Sequence, residues 1–98
     1  MDALARGAAL PDEVPLPAGE AIRALVSASS APDILYAALP SGVWSSRDAG
    51  VIWSHLVPGN ARAVAVHPLR SGQVVAALDD GLKQSRDSGT NWSVLAAI

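Results

Sequence analysis

Short apolar stretches alternate with clusters of serine, proline, glycine, aspartate and asparagine from Ile22 to the end of the chain. That rhythm predicts short strands joined by tight turns, and it leaves no room for a long helix. IRALVS (22–27), ILYAAL (34–39), VWSS (43–46) and IWSHLV (52–57) read as four strands. SSAPD separates the first from the second, PSG joins the second to the third, and PGN closes the unit, each through residues that set turn geometry. A second series follows over 61–66, 73–78, 82–85 and 91–96, with DDG (79–81) in place of PSG. Four strands with short connections make an antiparallel meander. Near-continuous apolar runs such as RAVAV and VVAAL, instead of strict alternation, imply that both faces of each sheet are covered.

The two series are copies of one unit. A shift of 39 residues without a gap lays residues 22–56 on residues 61–95, and such a period marks a repeat architecture. Arg23 falls on Arg62, Ala37, Ala38 and Leu39 on Ala76, Ala77 and Leu78, and Gly42 on Gly81. The densest match is SRDAGVIW (46–53) on SRDSGTNW (85–92). Small alanines at 37, 38, 76 and 77 would let neighbouring sheets approach closely. The chain divides into an N-terminal segment, 1–20, and two units, 21–59 and 60–98.

These octapeptides resemble the Asp-box, or bacterial neuraminidase repeat, which sits on blades of β-propellers in sialidases and sortilin-type receptors. The resemblance covers residues 21–98 and implies an all-β fold, two four-stranded propeller blades per chain. One departure is Val51, where the family often has the threonine seen at Thr90. In such a turn Asp48 and Asp87 would accept backbone N–H bonds. Gly50 and Gly89 would supply a backbone conformation hostile to a Cβ. Trp53 and Trp92 would seal the turn, and Ser46 and Ser85 would add a hydroxyl. The expected role of all eight residues is structural. A calcium loop needs alternating oxygen ligands that DAG and DSG lack.

Other candidates for chemistry are sparse. Asp79 and Asp80 are sequence neighbours in a hairpin turn, a poor glycosidase pair because adjacent side chains point apart. His55 and His67 fall at different places in the two copies, without a second ligand at metal spacing. Tyr36 is the only tyrosine, and Glu13 and Glu20 lie outside the repeats, so a sialidase-type nucleophile has no counterpart. Arg23 and Arg62 hold equivalent places near the first strand, which lines the channel of a propeller. They offer planar donors for a carboxylate or phosphate, or they span the seam between blades and bond the next blade's carbonyls or box acid. The seam is the favoured reading.

Composition narrows the partners. Of 98 residues half are hydrophobic, and the net charge is −2 with one lysine and six scattered arginines. Nucleic acid needs a basic stripe, which is missing. Without cysteine there are no disulfides or thiolate sites. No apolar run reaches membrane-span length, and MDALARGAAL reads poorly as a signal peptide, so a cytoplasmic location is expected. Prolines 11, 15 and 17 confine residues 1–20 to disorder or an edge strand, with EVPLP a candidate clasp on another sheet. Neither metal nor cofactor is expected. Two blades cannot close a propeller, so the expected partner is the chain itself, a trimer before a tetramer, with a small anion or glycan as ligand. The expected function is a non-catalytic binding or scaffold module; the alternative is a glycan-binding or sialidase-like propeller fragment.

Overall fold

The computed structural model describes residues 13–14 and 19–97. It is all-β: β1 (Glu13–Val14), β2 (Ala24–Ala28), β3 (Ala31–Leu39), β4 (Gly42–Ser46), β5 (Trp53–Pro58), β6 (Ala61–His67), β7 (Arg70–Leu78), β8 (Gly81–Ser85) and β9 (Ser93–Ala97). Two antiparallel sheets form, ordered β1-β5-β4-β3-β2 and β6-β7-β8-β9. Each unit is thus a four-stranded meander, and the first carries an added two-residue edge strand. Most of the N-terminal segment for which disorder or a clasp is expected lies outside the described residues.

Strand boundaries differ from the sequence expectation in one instructive way. Proline and aspartate in SSAPD suggest a break, yet β3 begins at Ala31, so the turn is only Ser29 and Ser30. Pairing passes from Ser27 with Leu35 to Ala28 with Ala31. Pro32, Asp33 and Ile34 are therefore extra residues on β3. They lie beyond the end of β4, whose last partner is Leu35, so no neighbour on that side asks Pro32 for an N–H. The second unit repeats the device: Val66 pairs Val74 and His67 pairs Arg70, leaving out Ser71, Gly72 and Gln73.

The strand pairs assign the faces. Ala24, Val26, Tyr36, Ala38, Val43 and Val57 share one face of the first sheet. They pack in a single core against Val64, Val66, Val74, Ala76 and Leu78 of the second. Under the 39-residue shift these second-sheet residues match the opposite face of the first sheet, for instance Val74 with Leu35, Ala76 with Ala37 and Leu78 with Leu39. The front of one unit therefore seats on the back of the other. Two of the four small alanines, Ala38 and Ala76, lie in this seam and are fully buried. Each fully buried Val, Leu or Ile side chain contributes about 1.5–3 kcal/mol. Hydrogen bonds also cross the seam, from the Tyr36 hydroxyl to the Ser71 carbonyl at 2.6 Å and from Ser30 N–H to the Pro68 carbonyl at 3.1 Å.

The two outer faces are not alike. On the front of the first sheet Ala37, Leu39, Trp44 and Trp53 form a second buried cluster. On the back of the second sheet Ala63, Ala65 and Ala96 are exposed, and Leu82 keeps 39% of its surface in solvent. Among the described residues the open apolar face belongs to the second unit.

Candidate functional site

Among the described residues, side-chain hydrogen bonds gather in the octapeptide turns. In the first, the Ser46 hydroxyl donates to Asp48 Oδ1 at 2.8 Å and accepts the N–H groups of Asp48 at 3.3 Å and Gly50 at 2.8 Å. Asp48 Oδ1 also accepts from Val51 N–H at 3.1 Å and Ile52 N–H at 3.0 Å. Trp53 lies over the turn, its indole N–H 2.9 Å from the Gly50 carbonyl. In the second turn the Ser85 hydroxyl bonds Asp87 and Gly89 N–H likewise, Asn91 N–H reaches Asp87 Oδ1 at 2.9 Å, and Trp92 Nε1 reaches the Gly89 carbonyl at 2.8 Å. Ser46 and Ser85 are almost fully buried, so their hydroxyls must be satisfied inside the turn, and they are. Val51 takes part in the first turn through its backbone N–H, which bonds Asp48 Oδ1.

Two features of the turns escape a reading of the residues alone. Ala49 and Ser88 both hold φ of 62° ahead of Gly50 and Gly89, a left-handed conformation that non-glycine residues adopt at a cost. Their N–H groups point away from the box and bond the carbonyls of Asp33 and Gly72, each at 3.0 Å. Those carbonyls belong to the three-residue bulges of β3 and β7. Each bulge thus presents a carbonyl to its turn. A Cβ on Gly89, whose φ is 90°, would also lie 2.4 Å from Leu56 of the first sheet, so the second turn is a seam element as well.

Hydrogen bonding holds the Asp87 carboxyl down to about 2 from an ordinary 3.8, first through Asn91 N–H, then through Ser85 and the Asn91 side chain. A carboxyl with a depressed folded value stabilises the fold above its unfolded value and loses that contribution as pH falls through the folded one. The melting temperature of the protein is therefore expected to exceed that of Asp87→Asn at neutral pH, with the gap closing between about pH 4 and about pH 2. Thermal melts across that range check it; a gap independent of pH contradicts it.

Arg23 and Arg62 behave differently from one another. Arg23, just before β2, crosses the seam: its guanidinium donates to Asn60 Oδ1 and, at 3.4 Å, to the Ala61 carbonyl. Arg62 stays within its own unit, where Nε lies 2.8 Å from Asp79 Oδ1. Asn60 Nδ2 bonds Asp79 Oδ2 at 2.9 Å, which links the arginines in one polar chain. Asp79 is held below the ordinary carboxyl range, mainly by Arg62 and then by Asn60. For Arg62 the expected carbonyl or box acid of the next blade is thus replaced by a turn acid of its own unit, 17 residues on. Asp80, beside it, sits 3.9 Å from Lys83 Nζ.

The histidines stay apart. His55 stacks on Trp44 with ring centroids 4.5 Å apart, and His67 Nδ1 accepts the Leu69 N–H at the end of β6. Among the described residues no group of three or more histidine or acidic side chains gathers at metal-binding distance, and no helix is long and apolar enough to cross a membrane.

No protein-family model and no curated protein matches the chain. Solved structures do. An ancestral GH74 enzyme is similar over 89% of this chain with TM-score 0.71 and 24% identity. The GH74 xyloglucanase from Xanthomonas campestris is similar over 79% with TM-score 0.64 and 20% identity. YCF48 from Cyanidioschyzon merolae is similar over 88% with TM-score 0.68 and 20% identity. The chain spans 12%, 13% and 27% of those three chains respectively. All three are β-propeller proteins, and what this chain shares with them is the all-β fold of two four-stranded antiparallel blades.

Proposed function

We propose that the chain is a non-catalytic propeller building block, a binding or scaffold module that completes its ring with further copies of itself. The observation that carries this reading is the seam. The front of the second sheet already seats on the back of the first, and the 39-residue repeat presents an equivalent back, open, on the second sheet. Ala63, Ala65, Val75, Ala77, Leu82 and Ala96 there match the seam residues Ala24, Val26, Tyr36, Ala38, Val43 and Val57. Extending the same front-on-back contact from chain to chain is a heterologous association that closes when the rotation closes. Closed propellers typically have four to eight blades, so two blades per chain favour a trimer first and a tetramer second. The matching front of the first sheet is buried in the single chain, so closure includes uncovering Trp44 and Trp53.

The octapeptides are read as Asp-boxes that clasp hairpins. In support, Asp48 and Asp87 serve turn amides, and Asp79 serves Arg62 and Asn60. A ring would bring Arg23 and Arg62 of every chain to its axis, where a small anion would compete with Asp79 for Arg62. Native mass spectrometry at micromolar protein tests the assembly. Three or four chain masses are expected; a stable monomer at every concentration overturns the ring.

A further inference from the structure

We propose that the free edge of β9 is a binding site for an extended acidic peptide, which adds to the second sheet as a fifth strand. The first sheet shows what such a site holds. There β1 pairs antiparallel with β5, Glu13 opposite Ser54 and Val14 opposite Trp53. The 39-residue shift carries Trp53 and Ser54 onto Trp92 and Ser93. At that place, among the described residues, no strand pairs with the outer edge of β9. An open cleft of about 410 Å³ lies there instead, lined by Gln84, Arg86, Asp87, Asn91, Trp92 and Ser93. Their counterparts are Ser45, Arg47, Asp48, Ile52, Trp53 and Ser54, the surroundings of the pairing site on the first sheet.

The chemistry of the cleft defines the occupant. An unpaired strand edge offers alternating N–H and C=O groups to any extended backbone. On β9 itself, Val94 and Leu95 are 63% and 48% exposed. The acid in the cleft is already spent: Asp87 Oδ1 takes Ser85 and Asn91 N–H, and Oδ2 takes the Asn91 amide. The remaining charge is the exposed Arg86 guanidinium, which suits a carboxylate by its planar donors. Among the described residues there are two such edges and one Glu-Val strand, and β5 holds it. The occupant is therefore a segment of another protein with the same character, an acidic residue beside a β-branched apolar one in extended backbone. The site is built within one chain and does not depend on ring closure.

A labelled peptide of sequence LPDEVPLP, residues 10–17, is the probe. Titrated with the full chain, it is expected to bind saturably by fluorescence anisotropy and to shift the Trp92 and Ser93 amide resonances. Arg86→Glu, whose side chain makes no bond that the fold needs, is expected to weaken binding at least tenfold without moving the melting temperature. A peptide carrying Asp12→Lys and Glu13→Lys is expected to recover affinity on that variant. Absence of saturable binding overturns the proposal. So does binding indifferent to Arg86→Glu, and so do shifts confined to Trp53 and Ser54, which would report exchange with the chain's own strand. None of these outcomes bears on the mass of the assembly, so the two readings fail separately.

Discussion

Alanine at Asp87 or Asp48 is expected to lower the melting temperature by roughly 5–15 °C per site, the scale of losing several charge-assisted hydrogen bonds in a small domain. Asp87 accepts bonds from the Ser85 hydroxyl, Asn91 N–H and Asn91 Nδ2, and Asp48 from Ser46, Val51 N–H and Ile52 N–H. Without the carboxylate these donors have no replacement in the turn. The left-handed conformations at Ala49 and Ser88 are then held only by their bonds to the Asp33 and Gly72 carbonyls. The loss spreads, because each turn is docked on a bulge through Asp33 or Gly72. Asn91→Ala removes only the side-chain bond and is expected to cost a small fraction of the shift seen for Asp87→Ala. Thermal melts by circular dichroism order the three variants. Unchanged melting temperatures for both aspartate variants would show that the turns do not clasp their hairpins.

The aspartate turns were legible in the sequence because every part of them is local. Serine, aspartate, glycine and tryptophan lie within eight residues, and each residue type has one physical use in the turn. The four-strand meander was legible for the same reason, since its apolar runs and turn residues are contiguous. Pro32 was misleading. A proline ordinarily ends a strand, but at a bulge beyond the neighbouring strand it is harmless, and the bulge's purpose is a backbone carbonyl with no side-chain signature. The left-handed Ala49 and Ser88 are hidden likewise, since neither residue type favours that conformation. Contacts between distant segments were the least legible. The partnership of Arg62 with Asp79 bridges strand and turn, and the stacking of His55 on Trp44 has no counterpart in the second copy, where Val94 and Lys83 stand. The repeat itself supplies what single residues do not: the seam within the chain is the template on which the proposed contact between chains would be built.

Lysine in place of Leu82 is expected to weaken self-association at least a hundredfold while leaving the single chain folded. Leu82 sits on the open back of the second sheet, paired with Ala77 and Ala96 on the same face. Its counterpart under the repeat is Val43, which is fully buried in the internal seam. In the single chain a lysine at 82 keeps its ammonium in water, so folding costs little. In a front-on-back contact the same ammonium would enter an apolar surface like the core in which Val43 is buried. No acid stands there to receive it. An unpaired charge buried in such a contact costs about 3 kcal/mol or more, which is at least a hundredfold in dissociation constant. Lysine at Val43 is expected to behave in the opposite way, unfolding the chain outright, because there the contact is internal and has no dissociated state. Sedimentation over a dilution series, paired with thermal melts, measures both effects. Association unchanged by Leu82→Lys would exclude the back of the second sheet from the contact and with it the front-on-back ring.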